Sequence, residues 1–327
     1  ESWYGHKRIE WLHGTRASHL DARNKFVGLS DGREMSYDKL LIAMGGEPRL
    51  LDEEPHGVSH LRTLADADHL LELIAQARVK RGGIYGSGFI ACEYINLFAH
   101  FGIPTVLAHR GTHFFSRALM PEAGELIARH LADHGVETHA QTQLLSLEGG
   151  HELTGFKTRK GEHACEVLGV GIGIVPDFEW LRAGGVETGV GVKGNEYLET
   201  NVPDIYVAGD VAEFFDPVTG RQLVMGNWMN AMSQGRVVAR TMGGERTRFE
   251  LVSSYATNVL GLELIFVGDT DKAAAQEIRV LGSVEEKGVT QIFERDGRVV
   301  GGVMIGRNSD RAGVTRAIQA RVGWRQH

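Results

Sequence analysis

The sequence contains little cysteine and no long hydrophobic run. Its 327 residues include two cysteines, Cys92 and Cys165, which form neither a C-x-x-C pair nor a metal-binding spacing. No apolar stretch reaches the roughly 18 residues that a membrane-spanning helix needs. We therefore expect a reduced setting, the cytoplasm, and no association with a membrane.

Positive charge is in the minority. The 35 lysines and arginines are outnumbered by 42 aspartates and glutamates, which gives a formal net charge of -7. Proteins that bind nucleic acid present clustered basic residues, so we expect no nucleic-acid partner. The 15 histidines are scattered, without an H-E-x-x-H motif, and no metal site is predicted.

Glycine, in contrast, is abundant, with 43 residues. Gly is used where the backbone turns sharply or approaches a ligand closely. The middle of the chain alternates between strand and helix patterns, which predicts a parallel, doubly wound sheet. The predicted elements are a helix at Asp66 to Lys80, a strand at Gly82 to Tyr85, a helix from there to Phe101, a strand at Thr105 to Ala108, a helix at Pro121 to His134 and a strand from Gly135.

Shorter patterns flank this region. Strands are predicted before and after it, and Asp296-Gly297 is a strong hairpin signal near the end of the chain. The last part is therefore expected to be a small α+β domain. The strands are expected at Ile9 to Trp11, Lys25 to Leu29, Leu40 to Ala43, Val167 to Val175, Asp204 to Ala208, Leu262 to Val267, Val289 to Arg295 and Val299 to Ile305, with helices at Asn230 to Met242 and Arg311 to Gln319.

A glycine-rich motif opens the helix that follows the strand ending at Tyr85. It is made of Gly86, Ser87, Gly88, Phe89, Ile90 and Ala91. In such a setting Gly86 permits a tight turn, Gly88 lets a pyrophosphate approach, and the small Ala91 lets helix and strand pack. The pyrophosphate would lie at the positive end of the helix. We predict dinucleotide binding here rather than an ordinary strand-to-helix turn.

The end of the next strand indicates which dinucleotide binds. An NAD(H) site usually has an acid there, but this sequence has Ala108, His109 and Arg110, with Arg117 further along. Guanidinium groups bind phosphate through paired, charge-assisted hydrogen bonds. We therefore expect NADP(H), with NAD(H) and solvated loop charges as the alternatives.

A second motif, T-N-V-P-D-I-Y-V-A-G-D, spans Thr200 to Asp210. An apolar strand delivers a Gly-Asp pair at its carboxyl end, where ligands of α/β sheets bind. The motif resembles the second flavin-contacting motif of the FAD-dependent pyridine nucleotide-disulfide oxidoreductase family. The resemblance implies that Gly209 and Asp210 bind FAD, with the carboxylate of Asp210 on the ribitol chain.

Three further stretches extend the resemblance. Tyr37 to Gly46 is similar to the family's Y-D-x-L-x-x-A-T-G strand, with Met44 in the usual place of Thr. Gly171, Ile172 and Gly173 are similar to the stretch where the chain returns to the FAD domain, and the segment from Trp228 is similar to the helix that faces the flavin ring. The cofactor contacts that these stretches imply are Met44, Gly45, Gly171, Gly173, Trp228, Asn230 and Ala231.

The resemblance also implies two catalytic residues on the first helix of the dinucleotide motif. Phe89 occupies the place of an aromatic that covers the flavin and moves aside for nicotinamide. Glu93 is similar to a glutamate that pairs with a lysine near flavin N5. The alternatives are that Phe89 belongs to the core and Glu93 is a solvated charge. Cys92, beside them, is expected to be a packing thiol.

The sequence differs from the family pattern at both ends. The family begins with its own G-x-G-x-x-G for FAD, which nothing before Ile9 supplies, so at least ~30 residues of a βαβ unit are expected to be missing. A redox cysteine can therefore be neither placed nor excluded. No His-Pro occurs near the end, where the glutathione-type reductases have one, and the last segment instead looks like that of rubredoxin, ferredoxin and nitrite reductases.

The expected fold class is α/β, with two Rossmann-like dinucleotide-binding domains and a small C-terminal α+β domain. The first dinucleotide domain is incomplete, and the second is inserted in it. The expected domains are residues 1–51 and 166–246 for FAD, 52–165 for NAD(P)H and 247–327 for the interface.

The expected activity is hydride transfer from NAD(P)H to FAD, followed by electron transfer to an acceptor. The acceptor is expected to be a rubredoxin- or ferredoxin-type protein. The alternatives are reduction of a disulfide, coenzyme A disulfide or oxygen, and a redox-sensing flavoprotein with little turnover. A homodimer is expected from the resemblance alone.

Overall fold

The computed structural model describes residues 2–75 and 79–325 and forms two compact units. The first unit comprises the described chain up to Gly46 together with Pro176–Leu251. The second comprises Glu47–Val175 together with the chain from Val252 onward.

Seven α-helices occur in the described residues. In chain order, α1 to α7 are Ser2–His6, Leu64–Ala75, Phe89–His100, Pro121–Asp133, Glu179–Ala183, Trp228–Met242 and Arg311–Ala320.

The strands of the same residues are numbered β1 to β23. Strands β1 to β12 are Ala17–Asp21, Phe26–Leu29, Glu34–Ser36, Leu40–Ile42, Glu47–Pro48, Val58–Ser59, Gly82–Gly86, Thr105–Ala108, Glu137–His139, Leu144–Glu148, Gly155–Thr158 and Gly161–Ala164. Strands β13 to β23 are Val167–Gly171, Ile174–Val175, Val192–Gly194, Ile205–Val207, Ala212–Asp216, Arg221–Val224, Ser254–Val259, Leu262–Gly268, Glu277–Ser283, Gly288–Arg295 and Arg298–Ile305.

The first unit is built around the parallel pair β4 and β16. Leu40 lies opposite Ile205 and Ile42 opposite Val207. Both strands are apolar, and their buried side chains share one core with Phe214 of β17. Because the two strands run in the same direction, the segments that follow Ile42 and Val207 emerge at the same edge.

The second unit contains a five-stranded parallel sheet in the order β6-β13-β7-β8-β9. All residues of β7 and β8 are buried. Strands covered on both faces read as continuous apolar or glycine runs rather than as alternating patterns. Helices α3 and α4 follow β7 and β8 in the chain, as in a doubly wound sheet.

The C-terminal segment of the second unit forms an antiparallel sheet in the order β19-β20-β23-β22-β21, with α7 after it. This sheet shares a core with the helices of the parallel sheet. Phe98 of α3 and Leu126 of α4 belong to the same buried cluster as Phe266 and Phe293. The segment from Val252 is therefore part of one compact unit with the parallel sheet.

The predicted α/β fold class is confirmed, and β8 has the predicted limits. The strand predicted at Ile9 to Trp11 is wrong, because these residues are exposed and form no strand. The helix predicted at Asp66 to Lys80 is described as far as Ala75, and Ala77 on its predicted apolar face lies outside the described residues.

The structure divides the chain after Gly46, Val175 and Leu251 rather than after residues 51, 165 and 246. It also joins the predicted NAD(P)H-binding and interface segments in one unit. The functions given to these segments stay predictions.

Candidate functional site

A cleft opens at the carboxyl edge of the parallel sheet in the second unit. Gly86 of β7 lies opposite Gly171 of β13, and Tyr85 lies opposite Ala108 of β8. Ligands of α/β sheets bind at this edge. The cleft has a volume of about 630 Å³ and is lined by Gly86, Ser87, Gly88, His109, Arg110, Gly111, Arg117, Gly171 and Gly173, among others.

Gly86 occupies a position that only glycine fits. Its φ is +144°, a conformation that residues with side chains rarely adopt. A Cβ at this position would lie 2.3 Å from the carbonyl oxygen of Gly171. Gly171 is restricted in turn, since its Cβ would lie 3.1 Å from Cβ of Ile90. The two glycines thus let adjacent strands and α3 come close together at the cleft.

Gly88 and Ala91 have the surroundings expected for a dinucleotide loop. No atom lies within 4 Å of the place a Cβ would take at Gly88, which is the N-cap of α3 and gives no side-chain cap. The helix N-terminus therefore presents backbone N–H groups, which favour an anion. Ala91 is fully buried, as the packing of helix and strand requires.

Two arginines supply the positive charge of the cleft. Arg110 and Arg117 are both exposed, and within residues 2–75 and 79–325 neither guanidinium has an ion-pair partner. The described lining of the cleft contains no Asp or Glu. This arrangement suits an anionic group such as a phosphate.

His109 lines the same cleft but carries little charge. Its side chain is 2 % exposed, and burial lowers its pKa from 6.5 to about 4. A neutral imidazole forms no ion pair with a phosphate, but its ring N–H can still donate a hydrogen bond. The cofactor contact of His109 therefore stays a prediction, as do those of Arg110 and Arg117. Nδ1 of His109 is buried without a hydrogen-bond partner among the described residues.

We expect His109 to make the fold sensitive to acid. Its pKa is about 4 when folded and 6.5 as a free group, so the unfolded chain binds more protons between these values. Stability from this group is complete above pH 6.5 and is lost as the pH falls, by about 2–3 kcal/mol near pH 4.5. The measurement is the free energy of unfolding in urea, above pH 6.5 and near pH 4.5, for the native protein and for His109→Gln. An equal loss of stability in both proteins would contradict the prediction.

Phe89 lies in an aromatic cluster of the second unit. Its ring centroid is 4.8 Å from that of Phe115, 5.1 Å from Tyr255 and 5.3 Å from Phe266. This is the packing that the core alternative predicted, and movement of Phe89 over a flavin stays a prediction. Glu93 is exposed on α3, and no ion pair with it occurs in the described chain. Its catalytic role also stays a prediction.

The two cysteines are structural thiols. Both are fully buried, and burial raises the pKa of each to about 12. At neutral pH they are protonated and inert. The prediction that Cys92 packs in the core is confirmed.

In the first unit, two glycine turns follow the paired strands β4 and β16. Gly45 has φ +61° and Gly209 has φ +83°. The turns are adjacent because the N–H of Ala208 donates to the carbonyl of Ile42 at 3.0 Å. Met44, at the first turn, is 40 % exposed. The structure thus brings these sequence-predicted residues together at one edge.

Helix α6 lies beside the second glycine turn. Its N-cap is Asn227, whose side chain accepts from the N–H of Asn230 at 2.8 Å. A Cβ at Gly209 would lie 3.7 Å from Cβ of Ala231, and Asp210 is partly exposed next to it. Trp228, in the first turn of α6, is 82 % exposed.

Two buried polar side chains of α6 each leave one polar atom without a partner in the described chain. Gln234 is fully buried, accepts from the N–H of Gly209 at 2.7 Å, and leaves Nε2 unpaired. Asn230 is 1 % exposed and leaves Oδ1 unpaired. Unpaired buried polar atoms are costly, so this donor and acceptor indicate a polar ligand. The residues fit FAD, whose flavin edge offers both donors and acceptors.

Sequence reasoning missed Gln234 and Phe115 as members of these sites. The N–H of Phe115 donates to the carbonyl of Ser87 at 2.9 Å, so the loop after β8 is fixed on the glycine motif. No local motif marks Phe115, although the adjacent Phe114 and Phe115 between two arginines are unusual for a polar loop. Gln234 lies in the segment from Trp228 that resembles the flavin-facing helix, but its burial is not visible in the sequence.

One cluster of potential metal ligands occurs in the described residues, namely Glu137, His139 and His163. The carboxylate of Glu137 is already bound by the guanidinium of Arg81 and by His139 at 2.7 Å. His163 contacts the hydroxyl of Thr158 at 3.2 Å. These contacts account for the cluster.

Among the described residues, no helix has both the length and the apolar character to cross a bilayer.

Comparison with known proteins agrees with this geometry. The model of the family described as pyridine nucleotide-disulphide oxidoreductase matches residues 4–235. The chain is 24% identical over 329 residues to an NADH oxidase of Methanocaldococcus jannaschii, which covers 94% of this chain and 73% of the relative. It is 26% identical over 308 residues to putidaredoxin reductase CamA of Pseudomonas putida, with 91% and 72% covered.

A solved structure shares the same fold. The covalent complex of putidaredoxin reductase with putidaredoxin contains a chain that matches with a TM-score of 0.89 and 25% identity. The match covers 98% of this chain and 78% of that one.

Proposed function

We infer the function from one premise, which is that this chain belongs to the pyridine nucleotide-disulphide oxidoreductase family. We propose that it is an FAD-dependent oxidoreductase that takes electrons from NADPH and delivers them to an acceptor protein. When bound, the two cofactors supply the hydride chemistry, and the protein supplies binding, orientation and electrostatics.

The observation that carries the proposal is the cleft of the second unit. It combines the restricted glycine at Gly86, the open approach at Gly88 and the uncapped N-terminus of α3. These features bind a pyrophosphate through backbone N–H groups. In the first unit, the glycine turns and the unpaired polar atoms of α6 support the proposal that FAD binds there.

NADPH is proposed over NADH from the side chains of the cleft. Arg110 and Arg117 line the cleft, and its described lining offers no carboxylate for the ribose hydroxyls of the adenosine half. One relative is named an NADH oxidase, so this choice rests on the residues of this chain alone.

The acceptor is proposed to be a small iron–sulfur or rubredoxin-type protein. A relative is named putidaredoxin reductase, and a matching structure holds putidaredoxin. A disulfide mechanism finds no support in the described cysteines, since both thiols are buried and protonated. A cytoplasmic location and a homodimer remain proposals from sequence and resemblance.

The test is an anaerobic titration of the full-length, FAD-loaded protein with NADPH and, separately, NADH, followed by flavin absorbance. We expect rapid bleaching by NADPH and slow bleaching by NADH. Replacing Arg117 or Arg110 with methionine should weaken NADPH binding about tenfold per arginine, because a charge-assisted hydrogen bond is lost in each case. NADH binding should change little.

Arg129→Met serves as the matched control, since Arg129 is an exposed arginine of the second unit that pairs with Glu125 on α4. It should leave both titrations unchanged. Bleaching by NADH alone would overturn the coenzyme choice but keep the enzyme class. Absence of bleaching by either coenzyme would favour the redox-sensing alternative.

A further inference from the structure

The loop of residues 111–120, here called the phosphate loop, connects β8 to α4 and carries Arg117. Its C-terminal half is held by hydrogen bonds from the C-terminal segment of the second unit. The side chain of Gln291 accepts from the N–H of Met120 at 2.8 Å and donates to the carbonyl of Ala118 at 3.3 Å. Nζ of Lys272 donates to the carbonyl of Leu119 at 3.1 Å.

The same segment also contacts Arg117 itself. The backbone N–H of Lys272 donates to the carbonyl of Arg117 at 3.4 Å. Backbone groups of four consecutive residues, from Arg117 to Met120, are therefore bound by two residues that lie more than 150 positions away in sequence.

Gln291 lies where an apolar residue would be expected. It is fully buried on β22, opposite Val303 of β23 and Val280 of β21. A buried amide is tolerated only where its donor and acceptor are satisfied. Both hydrogen-bond partners of this amide are backbone groups of the phosphate loop, so the loop satisfies its donor and its acceptor.

The middle of the phosphate loop is fixed to the glycine motif. Phe115 has φ +48°, which is uncommon for a residue with a side chain, and its N–H donates to the carbonyl of Ser87. Its ring packs on Phe89 and on Phe266 of β20. The loop is thus stretched between the nucleotide cleft and the C-terminal sheet in one defined conformation.

We propose that Gln291 and Lys272 are positioning residues that hold the phosphate loop so that the Arg117 guanidinium meets the 2′-phosphate of NADPH. The inference rests on the proposed function, because it assumes that the cleft binds this coenzyme. A loop that is already ordered loses less conformational entropy when the ligand binds. The C-terminal segment therefore contributes to coenzyme preference without touching the coenzyme.

Gln291→Met is the sharpest variant, because it keeps the side-chain volume and removes both hydrogen bonds. Lys272→Met removes the bond to Leu119 and keeps the backbone bond to Arg117. The ligands are adenosine 2′,5′-bisphosphate and 5′-AMP, each titrated by calorimetry. For Gln291→Met we expect about fivefold to tenfold weaker binding of the bisphosphate and less than about twofold for 5′-AMP, with a smaller effect for Lys272→Met.

The matched control is Thr290→Val. Thr290 is the fully buried neighbour of Gln291 on β22, and its hydroxyl donates to Asp310 at 2.7 Å, away from the phosphate loop. The variant loses one buried hydrogen bond and should leave both affinities unchanged. Equal weakening by the control and by Gln291→Met would show a general loss of stability and overturn the proposal.

Hydrogen exchange provides a readout that needs no ligand. We expect the amide of Met120 to exchange faster in Gln291→Met than in the native protein and in Thr290→Val. Unchanged exchange together with unchanged affinity would overturn the proposal, as would equal weakening of both ligands. The two proposals can fail separately. If Gln291→Met selectively weakens binding of the bisphosphate but NADPH does not reduce the flavin of the native protein, the positioning role is supported and the proposed function fails. A native protein that binds neither ligand would overturn both.

Discussion

Replacing Gly86 with valine should abolish dinucleotide binding and destabilise the second unit. The residue has φ +144°, and its Cβ would collide with the carbonyl oxygen of Gly171 at 2.3 Å. Backbone strain and overpacking each cost about 1–3 kcal/mol, and the edge of the sheet must open to relieve them. We expect more than a hundredfold weaker binding of NADPH, measured by calorimetry, and a lower midpoint of urea unfolding.

Gly88→Ala separates the binding effect from the folding effect. No atom lies within 4 Å of its Cβ position, and its φ of -119° suits any residue. The variant should keep the native unfolding midpoint, yet its methyl group would occupy the approach of the pyrophosphate. Normal NADPH binding by Gly88→Ala would refute the assignment of this loop, and a stable Gly86→Val would refute the steric argument.

Replacing Asp210 with alanine should weaken the binding of FAD. Asp210 follows the glycine turn after β16, and its partly exposed carboxylate lies beside Gly226, whose Cβ would be 3.7 Å from Cγ of Asp210. A hydrogen bond to a charged group contributes about 1.5–3 kcal/mol, so FAD affinity should fall about tenfold to a hundredfold. The measurement is the retained flavin per protein after gel filtration, followed by titration of the apoprotein with FAD.

Asp31→Ala is the control for the loss of one negative charge. Asp31 lies in an exposed turn of the first unit, where it pairs with Arg33. This variant should retain flavin like the native protein. Full retention by Asp210→Ala would show that the Gly-Asp turn does not hold the cofactor.

The parts of the fold that sequence predicted best are those in which a local pattern coincides with complete burial. Strand β8 is apolar and entirely buried, and Pro121 begins α4 as a proline in the first helical turn should. The strand predicted near Trp11 failed because its apolar residues are not covered, since Trp11 is 51 % exposed. An apolar run predicts a strand only when a partner surface exists to bury it.

The site was predicted unevenly for a related physical reason. The backbone requirements at Gly86 and Gly209 are local, and they leave a glycine in the sequence at the place where they act. The neutral state of His109 depends on burial, which no neighbouring residue in sequence reveals. Gln291 binds Met120 and Ala118, from which it is separated by 171 and 173 positions in the sequence. Only the folded chain brings these residues together.

The common core of the parallel sheet and the C-terminal sheet limits how such proteins can be recombined. Phe98 and Leu126 pack in the same cluster as Phe266 and Phe293, so the C-terminal segment is not a detachable module. In a chimera that takes the chain from Val252 onward from a relative, α3 and α4 would pack against side chains that differ from the native ones. Close packing leaves little room for mismatched side chains. An exchange between relatives should therefore transfer α3, α4 and the C-terminal sheet together, so that their shared core stays intact.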